Sequence, residues 1–429
     1  MSLAQVFLRR KLIRRSQAEP LYGQLVEERF GTYTNASHED WIWIHAVSLG
    51  ETRTAGILLK ELRQTFPDMK LLLTNGTATG REEGQKLLQA GDIQVWQPWD
   101  SVDAVSQFYR AFQPRIGLMM ETEVWPNLVN AAAKFNVPII LVNARMSEKS
   151  LTQALRWPSL MCPAFNGLNA VFAQTKEDEK RLSKLSAKVW GVFGNLKFDA
   201  KPDPTQMLLA QHWRSNLHRP VIMLASSREG EEFLWLTAWQ NYRQKNPQVL
   251  LDWLIVPRHP QRVAEVEELI QSQGLSVSRR STWGEMGPAA PESPATDANS
   301  SRIFLGDSLG EMSLYYSFAQ VALLGGSFEN LGGQNLIEAA ACACPVVMGP
   351  HTFNFSEAAR AAERSGAALR VANMEEAIAA ACQLAMNPQH QAEHADKASL
   401  FAKAHGGATQ RTALAVREHL NQIKDSKVH

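Results

Sequence analysis

Short runs of apolar residues alternate with segments of helical spacing along most of this chain. In the first half the runs are WIWIHAV (41–47), KLLLTN (70–75), IQVW (93–96), RIGLMM (115–120), PIILVN (138–143) and AVFAQT (170–175). They are mostly apolar throughout rather than strictly alternating, which predicts parallel strands covered on both faces. Segments such as 52–65 and 101–112 have the three-and-four spacing of helices that cross between such strands. The second half restarts the rhythm with VIMLAS (221–226), DWLIVP (252–257), RIFLGD (302–307), VALLGG (321–326) and PVVMG (345–349). Repeated strand–helix units of this kind predict a doubly wound sheet in each half.

The Lys-Pro-Asp-Pro run at 201–204 separates the halves and reads as a linker. The expected domains are a basic arm over 1–40, a Rossmann-like domain over 41–200 and a second over 205–405. Two such domains facing each other across a cleft are the α/β arrangement called GT-B. Residues 406–429 are expected to return as a helix against the first domain, as chains of this arrangement often do. Open α/β sheets bind ligands beyond the carboxyl ends of their strands, so the loops after the strands are the places to search. Residues 284–301, with Pro288, Pro291 and Pro294 among small polar residues, predict a surface loop without a packed role.

Length and composition narrow the class without deciding it. A chain of 429 residues exceeds one comfortable core, in keeping with two domains. A net charge of +1 argues against a nucleic-acid partner. Cys162, Cys342, Cys344 and Cys382 lack zinc or redox spacing, which favours a reducing compartment. No H-E-x-x-H or other metal frame occurs, so a bound metal is not expected. At the N-terminus, eight mostly apolar residues precede Arg9, Arg10, Lys11, Arg14 and Arg15. That run is too short to span a bilayer, which takes about 20 residues, and the charge order is wrong for a signal peptide. It reads either as a solvated basic tail or as a contact with an anionic lipid surface.

Candidate chemistry clusters at the strand ends. In HAVSLGE (45–51), Ser48 and Glu51 have the spacing of a capping box, and Glu51 is equally placed to act as a general base. His45 lies earlier in the strand and reads as a packing residue. METEVWPN (120–127) puts Glu121 and Glu123 just past a strand, where either could bind a catalytic group or pair with a nearby arginine. NARMSEKS (143–150) offers Arg145, Ser147 and Lys149 as anion contacts, and GNLKFD (194–199) puts Lys197 just before the linker.

In the second half, Pro257, Arg258 and His259 follow a strand, and an arginine there suits a phosphate. In GDSLGEM (306–312), Gly310 and Glu311 could border a base-binding pocket. The block GGSFENLGGQNLIEAAACACPVVMGPHTFNF (325–355) is the most informative stretch. Its glycine pairs at a strand–helix junction could let backbone amides and a helix start meet a phosphate, with Glu338 reaching ribose hydroxyls. A tight turn with a first-turn glutamate explains the same spacing.

Together these motifs, in this order, resemble the 3-deoxy-D-manno-octulosonic acid (Kdo) transferases of lipopolysaccharide synthesis, glycosyltransferase family 30. The resemblance covers roughly residues 20–375. It implies a GT-B enzyme that moves Kdo from CMP-Kdo to a lipid A precursor of the lipid IVA type, with inversion and without metal or other cofactor. It implies Glu51 as general base and Glu121 and Lys197 as stabilisers of the transition state. CMP contacts map to Pro257, Arg258, Leu309, Gly310, Glu311, Asn335, Leu336, Ile337 and Glu338. The location implied is the cytoplasmic side of the inner membrane. Three departures stand out. The family's hydrophobic anchor is reduced here to the basic stretch, so attachment is expected to be peripheral unless the chain starts late. The family's T-H-x-G-E-E reads Ser227-Arg228-Glu229-Gly230-Glu231-Glu232, and Gly-Gly-His-Asn-Pro reads Gly-Gly-Gln-Asn-Leu. Another GT-B nucleotide-sugar transferase, or a nucleotide-sugar epimerase of the same fold, is the alternative.

Overall fold

The protein is described by a computed structural model covering residues 3–289 and 301–428. It divides into two compact units: residues 1–199 with 406–429, and residues 200–405. Each unit is built on one parallel sheet of seven strands.

In the first unit the strands are β1 (Trp41–His45), β2 (Lys70–Asn75), β3 (Ile93–Trp96), β4 (Ile116–Met120), β5 (Ile139–Ala144), β6 (Ala170–Ala173) and β7 (Val189–Val192). Their order across the sheet is β3-β2-β1-β4-β5-β6-β7. The apolar runs are continuous because both faces are covered. Trp41 and Trp43 of β1 join Phe108, Tyr109 and Phe112 on one side. Ile42 and Ile44 face the other, with Leu58 and Leu62 of the Leu49–Thr65 helix and with Ala413, Val416 and Leu420 of the closing Ala408–Val428 helix. The returning segment is therefore part of this unit's core.

The second unit holds β8 (Val221–Ser227), β9 (Asp252–Pro257), β10 (Val277–Arg279), β11 (Ile303–Leu305), β12 (Val321–Leu324), β13 (Val346–Met348) and β14 (Ala368–Arg370). Their order is β10-β11-β9-β8-β12-β13-β14. Strands β7, β10 and β14 were not visible as apolar runs. Each is only three or four residues long, ends a sheet or lies at its rim, and keeps partly exposed side chains. A strand with one open edge needs no continuous apolar sequence.

Two expectations change in detail. The basic arm is no solvated tail. Residues Leu3–Ser16 form a helix with Leu12 buried, Arg9 paired to Glu27 and stacked 4.2 Å from the Phe30 ring. Of the proline-bearing segment, 290–300 lies outside the described residues, but its start is packed. The Trp213 indole donates to the Glu285 carbonyl at 2.8 Å, and the turn Gly284–Gly287 lies against the Trp213 ring.

Strand pairing in the second unit is reinforced by one buried acid. Asp252, fully buried at the start of β9, accepts from the Arg302 backbone amide at 3.0 Å and from its guanidinium at 2.9 and 2.6 Å. Removing one partner of a buried pair leaves the other charge uncompensated. Asp252→Ala should lower stability by about 3 kcal/mol, measured by chemical denaturation of the full chain.

Candidate active site

Strand order reverses direction between β1 and β4 in the first unit, so the loops leaving these two strands diverge and open a crevice. Glu51 follows β1 and Glu121 follows β4. The Leu49–Thr65 helix begins at Ser48, whose hydroxyl accepts from the Glu51 amide at 3.3 Å. The Glu51 carboxylate reaches back to accept from the Val47 amide at 2.7 Å and the Ser48 hydroxyl at 3.0 Å. The capping box is thus real, shifted by one residue at its return contact. Burial, and after it the negative charge of Glu123, push the Glu51 carboxyl up to about 7. The cap and the candidate base are the same side chain.

Glu121 sits in a different environment. It is 4% exposed and in the left-handed backbone region, φ 55°. Its amide is bonded to the Val142 carbonyl and its carbonyl to the Arg145 amide, which locks the kink. Its carboxylate pairs with Arg145 Nε at 2.9 Å and Lys197 Nζ at 3.3 Å. Glu123, two residues on, accepts from the Trp125 indole at 2.8 Å, and burial raises its carboxyl. Four motifs that are far apart in sequence therefore meet here: Glu51, Glu121 with Glu123, Arg145, and Lys197. The anion that Arg145 contacts is Glu121 itself. Ser147 is used as the cap of the Glu148–Ala154 helix, and Lys149 is exposed. His45 ends β1 and is fully buried, bonded to Thr74 at 2.7 Å and driven down to about 3 by burial, so it stays neutral.

In the second unit the strand order reverses between β8 and β12. Here a residue singled out only as part of the divergent motif organises the crevice. Glu231, fully buried, accepts from the Gly326 amide at 2.6 Å, the Phe328 amide at 3.1 Å and the Arg228 amide at 2.9 Å. The Gly333 and Gln334 amides are bonded to the Gly326 and Gly325 carbonyls. These glycine-turn amides, which the spacing offered to a phosphate, are thus satisfied within the protein. The following helix, Leu336–Ala341, is short, and Asn335 caps it through the Ile337 amide at 3.1 Å. Asn335 Nδ2 also donates to Glu338 in the first turn, at 3.1 Å. The glycines serve close approach. A Cβ on Gly332, φ 90°, would lie 2.4 Å from Asn354 Nδ2.

Arg258 links two of the candidate nucleotide motifs, since its Nε donates to Gln334 Oε1 at 3.1 Å, beside Asn335. Pro257 ends β9, next to β11, whose following loop carries Leu309, Gly310 and Glu311. Leu309 is 78% exposed, Gly310 has φ 81°, and Glu311 pairs with Arg280 at 2.9 Å. Arg280 in turn lies over the Trp213 ring. Neither Glu231 nor Arg280 announces its role in sequence, because each acts on a loop far away in the chain. Among the described residues, no three His, Cys, Asp or Glu side chains converge as a metal site would require.

The profile of the family described as 3-deoxy-D-manno-octulosonic-acid transferase (kdotransferase) matches residues 24–200. A 3-deoxy-D-manno-octulosonic acid transferase of Bordetella pertussis is 44% identical over 388 residues, covering 88% of this chain and 87% of the relative. The chain belongs to the 3-deoxy-D-manno-octulosonic acid transferases. A Kdo transferase of Haemophilus influenzae is 30% identical over 95% of this chain and 94% of its own. Membership makes this Kdo transferase an enzyme, a glycosyltransferase. Among solved structures, the UDP-GlcNAc 2-epimerase of Neisseria meningitidis superposes with a TM-score of 0.57 at 17% identity, covering 88% of this chain and all of that one. That likeness shows the shared GT-B fold.

The Glu51 environment has a thermodynamic signature. Its folded-state carboxyl is raised from 4.5 to about 7, so between those pH values the folded Kdo transferase holds a proton that the unfolded chain has lost. Stability contributed by this group is present below pH 4.5 and is lost as pH rises towards 7. The melting temperature of the wild type relative to Glu51→Gln should fall over that interval and level off above it. A pH-independent difference would show that the carboxyl is not perturbed.

Proposed function

We propose that this Kdo transferase moves Kdo from CMP-Kdo to a hydroxyl of a lipid A precursor of the lipid IVA type, with inversion and without metal. What carries this reading is Glu51, in the first turn of the helix that follows β1 and held there by Val47 and Ser48, whose carboxyl burial pushes up to about 7. A base of that strength is poised to accept a proton from an attacking alcohol near neutral pH. As the acceptor oxygen bonds to the anomeric carbon, its proton passes to Glu51 and the bond to the CMP phosphate breaks. Glu121 holds Lys197 and Arg145 through its carboxylate, which places two cations in this part of the crevice.

The donor reading rests on the second unit. Arg258, tied to Gln334, supplies a planar cation for a phosphate. The loop with Leu309, Gly310 and Glu311, and the Asn335–Glu338 turn, offer polar groups for base and ribose. A peripheral membrane location is supported by the N-terminal helix. Its exposed side chains include Phe7 and Ile13 beside Arg10, Lys11 and Arg14. Among the described residues, no helix is long and apolar enough to cross a membrane.

Incubation with CMP-Kdo and a tetraacyl lipid A precursor, with products weighed by mass spectrometry, tests the reaction. Absence of any Kdo-bearing product would overturn it. Glu51→Gln preserves the cap, because an amide can still accept from Val47 and bond Ser48. Its transfer rate should nevertheless fall by about 10²- to 10⁴-fold with little loss of melting temperature. Near-normal turnover would reduce Glu51 to a helix cap. Arg258→Ala should weaken CMP binding by about 1.5–3 kcal/mol, and an unchanged dissociation constant by calorimetry would remove Arg258 from the site.

A further inference from the structure

Lys197 does not stand on a strand or a regular helix. It lies on a single 3-10 turn, Leu196–Asp199, reached through Gly194, which has φ 89°. An isolated turn has few internal hydrogen bonds to hold a side chain at a fixed point, so its aim depends on what grips its two ends. On the leading side, Asn143 at the end of β5 is 2% exposed and has φ 53°. Its Oδ1 accepts from the Leu196 amide at 3.0 Å, and its carbonyl accepts from Gln174 Nε2 at 2.8 Å. Leu196 itself is fully buried among residues of the closing helix.

On the trailing side, the Asp199 carboxylate accepts from the Gly407 amide, the Thr409 amide at 2.6 Å and the Thr409 hydroxyl at 2.9 Å. It thereby binds the start of the Ala408–Val428 helix, more than two hundred residues downstream. The same helix grips the approach to the turn. The Arg411 guanidinium donates to the Phe193 carbonyl at 3.1 and 2.9 Å. Lys197 is therefore bracketed, with Asn143 and Arg411 before it and Asp199 after it.

We propose that Asn143 and Asp199 are positioning residues, which with the closing helix clamp the 196–199 turn so that Lys197 Nζ is held against Glu121. The effect on transfer rests on Lys197 belonging to the reaction proposed above; the clamp itself does not. A displacement near 1 Å at such a group is enough to slow chemistry by about 10²-fold, so a loosened turn is felt in turnover.

The test uses the full chain. Asn143→Gly removes the amide without straining a left-handed residue, and Asp199→Asn removes the charge that gathers the helix start. Thr409→Val, which deletes only the hydroxyl contact, serves if Asp199→Asn does not fold. Two readouts separate clamp from catalysis. Brief acetylation with an amine-reactive reagent, read by peptide mass spectrometry, should label Lys197 several-fold faster in each variant than in the wild type. Steady-state kinetics should show kcat lowered about 10- to 100-fold with both KM values little changed. In a Lys197→Ala background the same substitutions should cost nothing further, since they act through that lysine. Unchanged labelling in folded Asn143→Gly and Asp199→Asn overturns the clamp. Equal kcat losses with and without Lys197 overturn its role in transfer. Faster labelling alongside a Lys197→Ala enzyme of normal turnover supports the clamp and instead removes Lys197 from the proposed reaction.

Discussion

Parallel strands covered on both faces leave no room for polar chemistry along their length. A side chain in mid-strand is surrounded by apolar neighbours, and a charge there would lose its hydration without compensation. Only where a strand stops and its loop turns away does the backbone release polar side chains into a crevice. This constraint places Glu51 and Glu121 on neighbouring strand ends, where the order of the sheet reverses. His45, the last residue of β1, is still fully buried and is kept neutral.

Around that crevice, similar carboxylates acquire different properties from their partners. Glu121 is buried but faces two cations, Arg145 and Lys197. Glu51 has an amide and a hydroxyl as partners and feels the like charge of Glu123. The first arrangement gives the carboxylate two ion-pair partners, and the second, through burial above all, delays ionisation of Glu51 until near neutral pH. The candidate base and the carboxylate that holds a lysine are thus distinguished by environment rather than by residue type.

The second unit uses its own switch point differently. Glu231 bridges the loops after β8 and β12 through three backbone amides. The loop is held by an internal carboxylate, while Gly332 and Gly333 allow close packing against Asn354 and Thr352. The candidate nucleotide contacts lie on that stiffened frame, joined by the Arg258–Gln334 bond. A site that must recognise a flexible ligand benefits from walls whose conformation is already set.

The amino-acid sequence alone determined the alternation of strands and helices, the division near 201–204 and the strand ends on which chemistry could sit. Those features follow from local patterning: continuous apolar runs for doubly covered strands, and prolines at a linker. Motif order was also sufficient to indicate the family, because seven short segments in register carry far more information than any one glycine turn. The short edge strands β7, β10 and β14 escaped detection because partly exposed edges impose no apolar pattern. Tertiary structure alone decided that Arg145 and Lys197 converge on Glu121, that Glu231 takes the Gly326 amide and that Asp199 grips Thr409. Each of these contacts joins residues from 24 to more than two hundred positions apart. Their distances depend on how the sheets stack their strands, which no local spacing encodes.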